Sequence, residues 1–253
     1  MAKLLEGKTA LVMGIANKWS IALAITEAFS REGATLVLTY LGEHQKDAIN
    51  TLTKDLNVVK VLPCDVSKDE EIAAMVQSLQ GTTLHAAVHC LAFANREDLA
   101  KPFVETERAG YLLAQDVSAY SLVAIARATA PLMPNGGSLM TLTYLGATRV
   151  VPNYNVMGVA KAALEATVRY LAHDLGPKNI RVNAISAGAV KTTSARGIKD
   201  LTSMLNTVAD KAPLRRNTDP AEVADTAVFL ASDLARGVTG NTIFVDAGMQ
   251  IMA

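Results

Sequence analysis

Residues 9–22 read Thr-Ala-Leu-Val-Met-Gly-Ile-Ala-Asn-Lys-Trp-Ser-Ile-Ala, and this stretch decides the fold. Its first five residues have the length of a buried strand, Gly14 follows, and helical periodicity continues to Glu32. A glycine turn between strand and helix lets backbone N–H groups and the positive helix end meet a pyrophosphate. The stretch therefore predicts a phosphate-binding turn at Gly14, Ser20 and Ile21, with Ser20 also able to cap the helix. An ordinary turn is the alternative, because the three-glycine fingerprint is incomplete.

Strand-length apolar runs recur along the rest of the chain, separated by longer stretches with helical periodicity. Short runs that are apolar on both faces are typical of parallel strands buried between two layers of helices. The alternation predicts an α/β fold, a single Rossmann-like doubly wound domain over residues 1–253, with about seven parallel strands and helices on both faces. Ligands of such a sheet bind at the carboxyl ends of its strands. The further predicted strands are residues 35–40, 58–63, 84–91, 138–143, 180–186 and 242–245.

Composition and charge exclude several classes of protein. Lys plus Arg and Asp plus Glu both total 24, so no overall field attracts nucleic acid or an anionic membrane. The charged residues 1–8 do not resemble a signal peptide, and no run reaches the ~18 apolar residues of a membrane span. Cys64 and Cys90 have no paired or metal-ligand spacing, which favours a reducing compartment and no metal site. We expect a soluble, cytoplasmic protein without a nucleic-acid or membrane partner.

Candidate dinucleotide contacts follow the second, third and fourth predicted strands. Glu43 lies close to the end of the second strand, and no Lys or Arg follows Tyr40 until Lys46. A 2′-phosphate favours a cation there, so the sequence favours NADH over NADPH. Asp65 ends the third strand, where it suits either an adenine amino group or the cap of the next helix. Residues 89–94 are mostly small and apolar, as expected beside a nucleotide or in an interior strand.

Tyr154 and Lys161 are the strongest candidates for chemistry. They lie within Pro-Asn-Tyr-Asn-Val-Met-Gly-Val-Ala-Lys-Ala-Ala-Leu, residues 152–164, where a helix is predicted to begin near Tyr154. Seven residues at ~100° each complete about two turns, so both side chains share one helix face. An ammonium beside a phenol lowers the pKa of the phenol and improves it as a donor to an oxyanion. The alternative is a packed tyrosine and a solvated lysine, although the small and apolar neighbours of Lys161 favour a catalytic pair.

With the turn at Gly14, this pattern resembles the short-chain dehydrogenase/reductase superfamily, and specifically its divergent branch, the enoyl-acyl-carrier-protein reductases. Ordinary members space the pair as Tyr-x3-Lys, which needs a tyrosine where this chain has Met157, whereas the divergent branch has Tyr-x6-Lys, as here. The resemblance covers almost the whole chain. It also includes the Gly-x5-Ser-Ile-Ala turn of residues 14–22, Tyr144 at the end of the preceding strand, and residues 181–188 and 240–248.

Two positions depart from the family pattern. The family often has Pro after Gly188, where this chain has Ala189. The position after Tyr40, a cofactor contact in the family, is Leu41. Both departures affect the fit of the cofactor rather than the type of reaction.

The resemblance implies NADH-dependent reduction of the trans-2 double bond of enoyl thioesters, the last step of the fatty-acid elongation cycle. It implies that Tyr154 donates to the thioester oxygen and that Lys161 holds the nicotinamide ribose. Tyr144 then shapes the acyl site or assists protonation, and Ala94 completes the substrate site. The implied cofactor contacts are Gly14, Ser20, Ile21, Leu41, Asp65, Val66, Leu91, Lys161, Val190, Lys191, Thr192, Thr193 and Ser194.

The resemblance further implies a cover and protein partners. Residues 190–212, with a possibly helical part at 198–211, resemble the strand and lid that cover the cofactor and the acyl chain. The acyl-carrier protein is acidic, so four basic residues are docking candidates, or else scattered surface charges. The long helices predicted at residues 107–133 and 156–176 resemble those that pair in homotetramers. The four basic residues are Arg196, Lys199, Arg215 and Arg216.

Two other functions stay open at the level of the sequence. A carbonyl or 3-ketoacyl reductase shares this scaffold, but Met157 stands where such an enzyme needs its tyrosine. A non-catalytic nucleotide-binding protein also shares it, because a fold does not fix a function. The presence of Tyr154 and Lys161 argues against that second alternative.

Overall fold

Seven parallel strands form the sheet at the centre of the computed structural model, which describes residues 3–190 and 201–252. The spatial order is β3-β2-β1-β4-β5-β6-β7, the doubly wound arrangement that the sequence predicted. The predicted α/β class is confirmed. The strands are β1 Thr9–Met13, β2 Thr35–Tyr40, β3 Val58–Pro63, β4 Ala86–His89, β5 Gly137–Thr143, β6 Ile180–Ala187 and β7 Thr242–Val245.

The central strand β4 is shorter than the predicted residues 84–91. At its start, the Leu84 N–H donates to the Leu132 carbonyl outside the sheet. At its end, the register with β1 and β5 stops at His89, so Cys90 and Leu91 leave the ladder. The prediction was wrong there because an apolar run marks burial, whereas a strand also needs partners for its backbone.

Helices cover both faces of the sheet. One core cluster joins the sheet to α1 and α9, and a second joins the opposite face to α3, α6 and α7. This two-sided burial explains why the strands read as continuous apolar runs. The helices of the described part of the chain are α1 Ile21–Arg31, α2 Glu43–Leu52, α3 Asp69–Ser78, α4 Arg96–Ala100, α5 Arg108–Gln115, α6 Ser121–Thr129, α7 Asn155–Leu175, α8 Leu201–Lys211 and α9 Pro220–Ala231.

The strand order reverses at β1, which pairs with β2 on one side and with β4 on the other. Chain connections therefore run in opposite directions from β1 and β4, and a crevice opens between their carboxyl ends. The turn after β1 and the extended segment after β4 form the two walls of this crevice. The fold thus forms a crevice at the carboxyl ends of the strands, where the sequence predicted that ligands bind.

The helix predicted over residues 107–133 is interrupted by a π-helical segment, Asp116–Tyr120, between α5 and α6. Such single π turns insert an extra residue and often occur at functional sites. Within the described residues, Arg108–Leu132 is long and apolar enough to cross a membrane, with a mean hydropathy of 1.2, which the sequence analysis did not anticipate. Half of that window is buried inside the protein, as in a core helix.

Candidate active site

Gly14 brings the end of β1 against the end of β4. Its φ of +96° lies in the left-handed region, and a Cβ there would stand 2.1 Å from the Cys90 carbonyl oxygen. Any side chain would force the two strand ends apart. The glycine that the sequence singled out is therefore required at this position by backbone packing as well as by conformation.

Ser20 organises the turn that follows Gly14. Its Oγ accepts hydrogen bonds from the N–H groups of Ala16 and Asn17, at 3.0 Å each. Ser20 occupies the N-cap position of α1, but its side chain makes no capping hydrogen bond, so the predicted capping role is wrong. The hydroxyl faces back into the turn, and Ile21 begins the helix. The side chain of Ser20 therefore leaves the N–H groups at the positive end of α1 uncapped, and a phosphate site requires such N–H groups.

A carboxylate occupies the region just beyond β2. The Tyr40 hydroxyl donates to Glu43 Oε1 at 2.6 Å, and Lys46 Nζ lies 3.6 Å from the other oxygen. The bond from Tyr40 holds the pKa of Glu43 below its ordinary value, so the group stays charged. Leu41 is 62% exposed between these residues. The first cation after β2 is therefore already paired with a carboxylate.

The Asp65 side chain forms hydrogen bonds within the loop that follows β3. Its Oδ1 accepts from the Ser67 N–H at 3.0 Å and from the Ser67 hydroxyl at 2.7 Å. Lys68 holds the N-cap position of α3, so the alternative that Asp65 caps this helix is wrong. Val66 is buried beside it in the core. The contact of Asp65 with an adenine stays a prediction.

Lys161 is buried at the carboxyl ends of the strands, where its ammonium is hydrogen-bonded to β5. The side chain is 5% exposed, and Nζ donates to the Leu142 carbonyl oxygen at 2.7 Å. Burial lowers the pKa of Lys161 to about 8. The small and apolar sequence around this lysine thus reflects a buried ammonium rather than a solvated surface group.

Tyr154 immediately precedes α7 and meets the second tyrosine. The rings of Tyr154 and Tyr144 pack edge to face, with centroids 5.0 Å apart and planes at 72°. Burial raises the pKa of Tyr154 well above its ordinary value, and Tyr144 raises it further. The expectation that Lys161 lowers this pKa is wrong, because desolvation of the phenol dominates. Tyr154 is therefore a protonated donor at neutral pH.

Position 157 holds a buried methionine one turn beyond Tyr154. Met157 is 5% exposed and packs with Val156 and Ala114. The Ser118 hydroxyl, from the π-helical segment, lies 3.7 Å from its sulfur. Ala94 and Tyr154 line the same apolar cluster, and Tyr144 contacts the Tyr154 ring, so the structure brings the three predicted substrate residues together.

Two glycines that were not predicted from the sequence shape the tyrosine site. A Cβ at Gly146 would lie 2.5 Å from Cδ1 of Tyr154, and a Cβ at Gly158 would lie 2.9 Å from the Gly146 carbonyl oxygen. The absence of a side chain at Gly146 therefore leaves the space that the Tyr154 ring occupies. A glycine inside a helical pattern, as at position 158, was the available signal.

A buried polar network beside the site was also not predicted from the sequence. His89 is fully buried, with Nδ1 2.9 Å from the Thr141 hydroxyl and Nε2 2.7 Å from the Ser121 hydroxyl. Ser118 accepts from the Phe93 N–H and donates to the Phe93 carbonyl, at 3.0 and 3.1 Å. These bonds fix the segment after β4 against the π-helical turn. No periodicity marks such pairs, because they join distant parts of the chain.

The remaining predicted site residues are placed only in part. Leu91 packs against the core, and Val190 is buried at the end of the described segment after β6. Arg216 is paired with Glu222, at 2.5 and 2.8 Å, and Arg215 donates to the Asp210 carbonyl. Six further predicted residues lie outside the described residues: Lys191, Thr192, Thr193, Ser194, Arg196 and Lys199.

The crevice fits a dinucleotide on two structural grounds, the side-chain-free approach at Gly14 and the uncapped helix end beside Ser20. With a buried lysine and a protonated tyrosine near its far end, the fold and site define the class of doubly wound, nucleotide-dependent oxidoreductases. The family profile described as enoyl-(acyl carrier protein) reductase matches residues 14–250. The chain belongs to this family.

Individual relatives are similar over almost their whole length. The enoyl-[acyl-carrier-protein] reductase [NADH] FabI of Bacillus cereus is 54% identical, with 99% of each chain covered. The [NADPH] FabI of Staphylococcus aureus is 48% identical, with 96% of this chain and 97% of that one covered. The solved structure of the Bacillus cereus enzyme with NADP+ and indole naphthyridinone superposes with a TM-score of 0.97 at 53% identity, covering 99% of both chains.

The Gly14→Ala substitution is expected to weaken dinucleotide binding by at least about tenfold, because the new Cβ clashes with the Cys90 carbonyl and distorts the crevice. Binding is measured by fluorescence titration with NADH. Gly7→Ala is the matched control, since Gly7 has a φ of +73° but no atom within 4 Å of its Cβ position. Equal affinity of both variants and the unsubstituted protein would contradict the assignment of the turn.

Proposed function

We propose that this protein reduces the trans-2 double bond of enoyl thioesters carried on acyl-carrier protein, with NADH as the reductant. The observation that carries the proposal is the place of the tyrosine in the chain relative to the buried lysine. Tyr154 stands seven residues before the buried Lys161, and Met157 fills the place that a carbonyl reductase of this superfamily gives to its tyrosine. Family membership and the names of the relatives support the same reaction.

NADH supplies the hydride when bound, and the chain supplies the binding groups and the proton donor. The proposed cofactor contacts within the described residues are Gly14, Ser20, Ile21, Leu41, Asp65, Val66, Leu91, Lys161 and Val190. Lys191, Thr192, Thr193 and Ser194 are proposed to continue this set. Backbone N–H groups of the turn and the positive end of α1 suit the pyrophosphate.

Tyr154 is proposed to donate a hydrogen bond to the thioester oxygen. Reduction at the β-carbon moves negative charge onto that oxygen, and a fixed donor there stabilises the transition state more than the ground state. The raised pKa of Tyr154 suits this role, because the phenol keeps its proton at neutral pH. Tyr144 packs against the Tyr154 ring and is proposed to orient it while bordering the acyl chain beside Ala94.

Lys161 is proposed to hold the nicotinamide ribose and to support the negative charge that develops near Tyr154. Its ammonium has three donor hydrogens, and the Leu142 carbonyl takes one of them. The remaining donors are available to ribose hydroxyls. The carbonyl also fixes the position of Nζ, so little reorganisation is needed when charge develops.

NADH is favoured over NADPH by the charge beyond β2. Glu43 remains ionised there and is paired with Lys46, so no free cation in that loop meets a 2′-phosphate. The Bacillus cereus relative carries NADH in its name. The Staphylococcus aureus relative is named for NADPH, so the preference depends on local residues rather than on the family.

We further propose a single domain with a lid over residues 190–212 in a soluble, cytoplasmic protein. Helix α8 is the described part of the proposed lid, where Val208 packs against Ala189. Docking of the acidic carrier protein is proposed near Arg196, Lys199 and Arg215. Arg216 is a weaker candidate, because its guanidinium is already paired with Glu222.

The direct test compares crotonyl and acetoacetyl thioesters with NADH and with NADPH, following oxidation of the cofactor by absorbance. We expect oxidation with the crotonyl substrate, at least about tenfold faster with NADH than with NADPH, and no significant oxidation with the keto substrate. Reduction of the keto substrate alone would overturn the proposed reaction. A faster rate with NADPH would overturn only the cofactor assignment.

The roles of the two tyrosines are separable by substitution. Tyr154→Phe is expected to lower kcat by about 10²–10³-fold, because it removes one donor to the oxyanion while keeping the ring. Tyr144→Phe is the matched control and is expected to lower kcat by about tenfold or less, since the ring contact survives. Steady-state kinetics with a crotonyl thioester check both values. The assignment fails if Tyr144→Phe is the more damaging change.

A homotetramer is proposed from the exposed apolar residues on the long helices. Leu112 is 58% exposed on α5, Tyr120 lies in the π-helical segment, and Tyr170 is 75% exposed on α7. Such residues are typical of helix faces that pair across subunits. Light scattering coupled to gel filtration is expected to give about four times the 26.8 kDa chain mass. A mass of one chain at micromolar concentration would exclude the tetramer.

A further inference from the structure

The proposed chemistry needs Lys161 in its charged ammonium form, yet the burial of this side chain favours the neutral amine. Lys161 is 5% exposed, and burial lowers its pKa to about 8, close to neutrality. A group with such a pKa loses its charge over a narrow range above neutrality. Whatever stabilises the charged form therefore sets the fraction of competent enzyme.

The titratable groups around Lys161 are mostly uncharged at neutral pH. From β4 and its end, His89 is neutral because burial lowers its pKa to about 3, and Cys90 is a thiol because burial raises its pKa to about 11. Burial also raises the pKa of Tyr144 and of Tyr154, so both phenols keep their protons. None of these four side chains supplies a negative charge.

Among the described residues, Glu165 is the carboxyl group whose charge raises the pKa of Lys161. It lies four residues further along α7, so the two side chains share a helix face. The Thr143 hydroxyl donates to Glu165 Oε1 at 2.8 Å, while the carbonyl of the preceding residue, Leu142, accepts from Lys161 Nζ at 2.7 Å. The end of β5 thus binds both charged groups through two consecutive residues. Arg169, one turn further along, donates to the Glu165 backbone carbonyl.

We propose that Glu165 is a positioning residue that keeps Lys161 in its ammonium form during turnover. The carboxylate is held by Thr143 where it attracts the ammonium without binding it directly, so all donors of Lys161 not used by Leu142 stay free for ligands. Burial raises the pKa of Glu165, and the hydrogen bond from Thr143 and the charge of Arg169 oppose that effect. This inference rests on the proposed role of Lys161.

The test replaces Glu165 by Gln, which keeps the shape and an acceptor for Thr143 but removes the charge. Without the carboxylate, the pKa of Lys161 falls, so the alkaline limb of the kcat/KM profile moves to lower pH. We expect a shift of about half to one pH unit, which lowers activity about three- to tenfold on the alkaline side and leaves it unchanged near pH 6. A uniform loss at every pH would assign Glu165 a structural role and overturn the proposal.

Asp174→Asn is the matched control, because it removes one negative charge from the same helix at an exposed position. At ~1.5 Å rise per residue, it lies about 20 Å from Lys161, beyond the screening length of physiological salt. Its pH profile is expected to overlay that of the unsubstituted protein. An equal shift in this control would assign the effect to net charge and refute the specific role of Glu165.

A second measurement does not depend on turnover. Competitive labelling of the cofactor-free protein with acetic anhydride, read by peptide mass spectrometry, reports the pH at which Lys161 becomes a neutral amine. Glu165→Gln is expected to lower that midpoint by the same amount, and an unchanged midpoint would overturn the inference. Lys161→Ala separates the two proposals: if this variant keeps full activity, the proposed function of Lys161 fails, whatever the labelling shows.

Discussion

The hydrogen bond from Lys161 Nζ to the Leu142 carbonyl is the interaction on which the site depends. An ammonium that leaves water loses several kcal/mol of hydration unless donors find acceptors and charges find partners. The carbonyl lies at the end of β5, the central part of the sheet, so the strand fixes the lysine and the lysine fixes the start of α7. Tyr154, which immediately precedes that helix, depends in part on the same bond for its position. The sheet thus determines where the phenol stands.

Polar side chains at the carboxyl edge of the sheet form a connected layer beneath the crevice. His89 joins β4 to β5 through Thr141 and to the helix layer through Ser121. Ser118 fixes the backbone of Phe93, next to Ala94. A buried network of this kind is rigid when every member is satisfied, because any displaced group would be left without water. The carboxyl edge of the sheet is therefore held by specific side-chain hydrogen bonds as well as by apolar packing.

The fold could be predicted from the sequence because strand length, helical period and Gly14 are all local signals. Most strands begin and end within one residue of their predicted limits, and β4 differs because its ends lack partners in the ladder. The expectation that Tyr154 and Lys161 share a helix face followed from helix geometry alone. Protonation states did not, since the pKa of Tyr154 depends on burial that only the folded chain defines. Ser20, which could have capped α1, illustrates the same limit, because N–H groups on both sides of the serine compete for its one hydroxyl oxygen and only coordinates decide between them.

Met157 has a consequence for how reductases of this scaffold diverge. Its side chain is enclosed by Val156, Ala114 and the Ser118 hydroxyl, so a tyrosine at this position would displace the π-helical segment that carries the serine. That segment in turn holds Phe93. A change from reduction of carbon–carbon bonds to reduction of carbonyl groups thus requires several coordinated substitutions. A protein with only some of these substitutions would have either two competing tyrosines or a displaced π-helical segment. Such proteins would function poorly, which separates the two kinds of reductase in sequence.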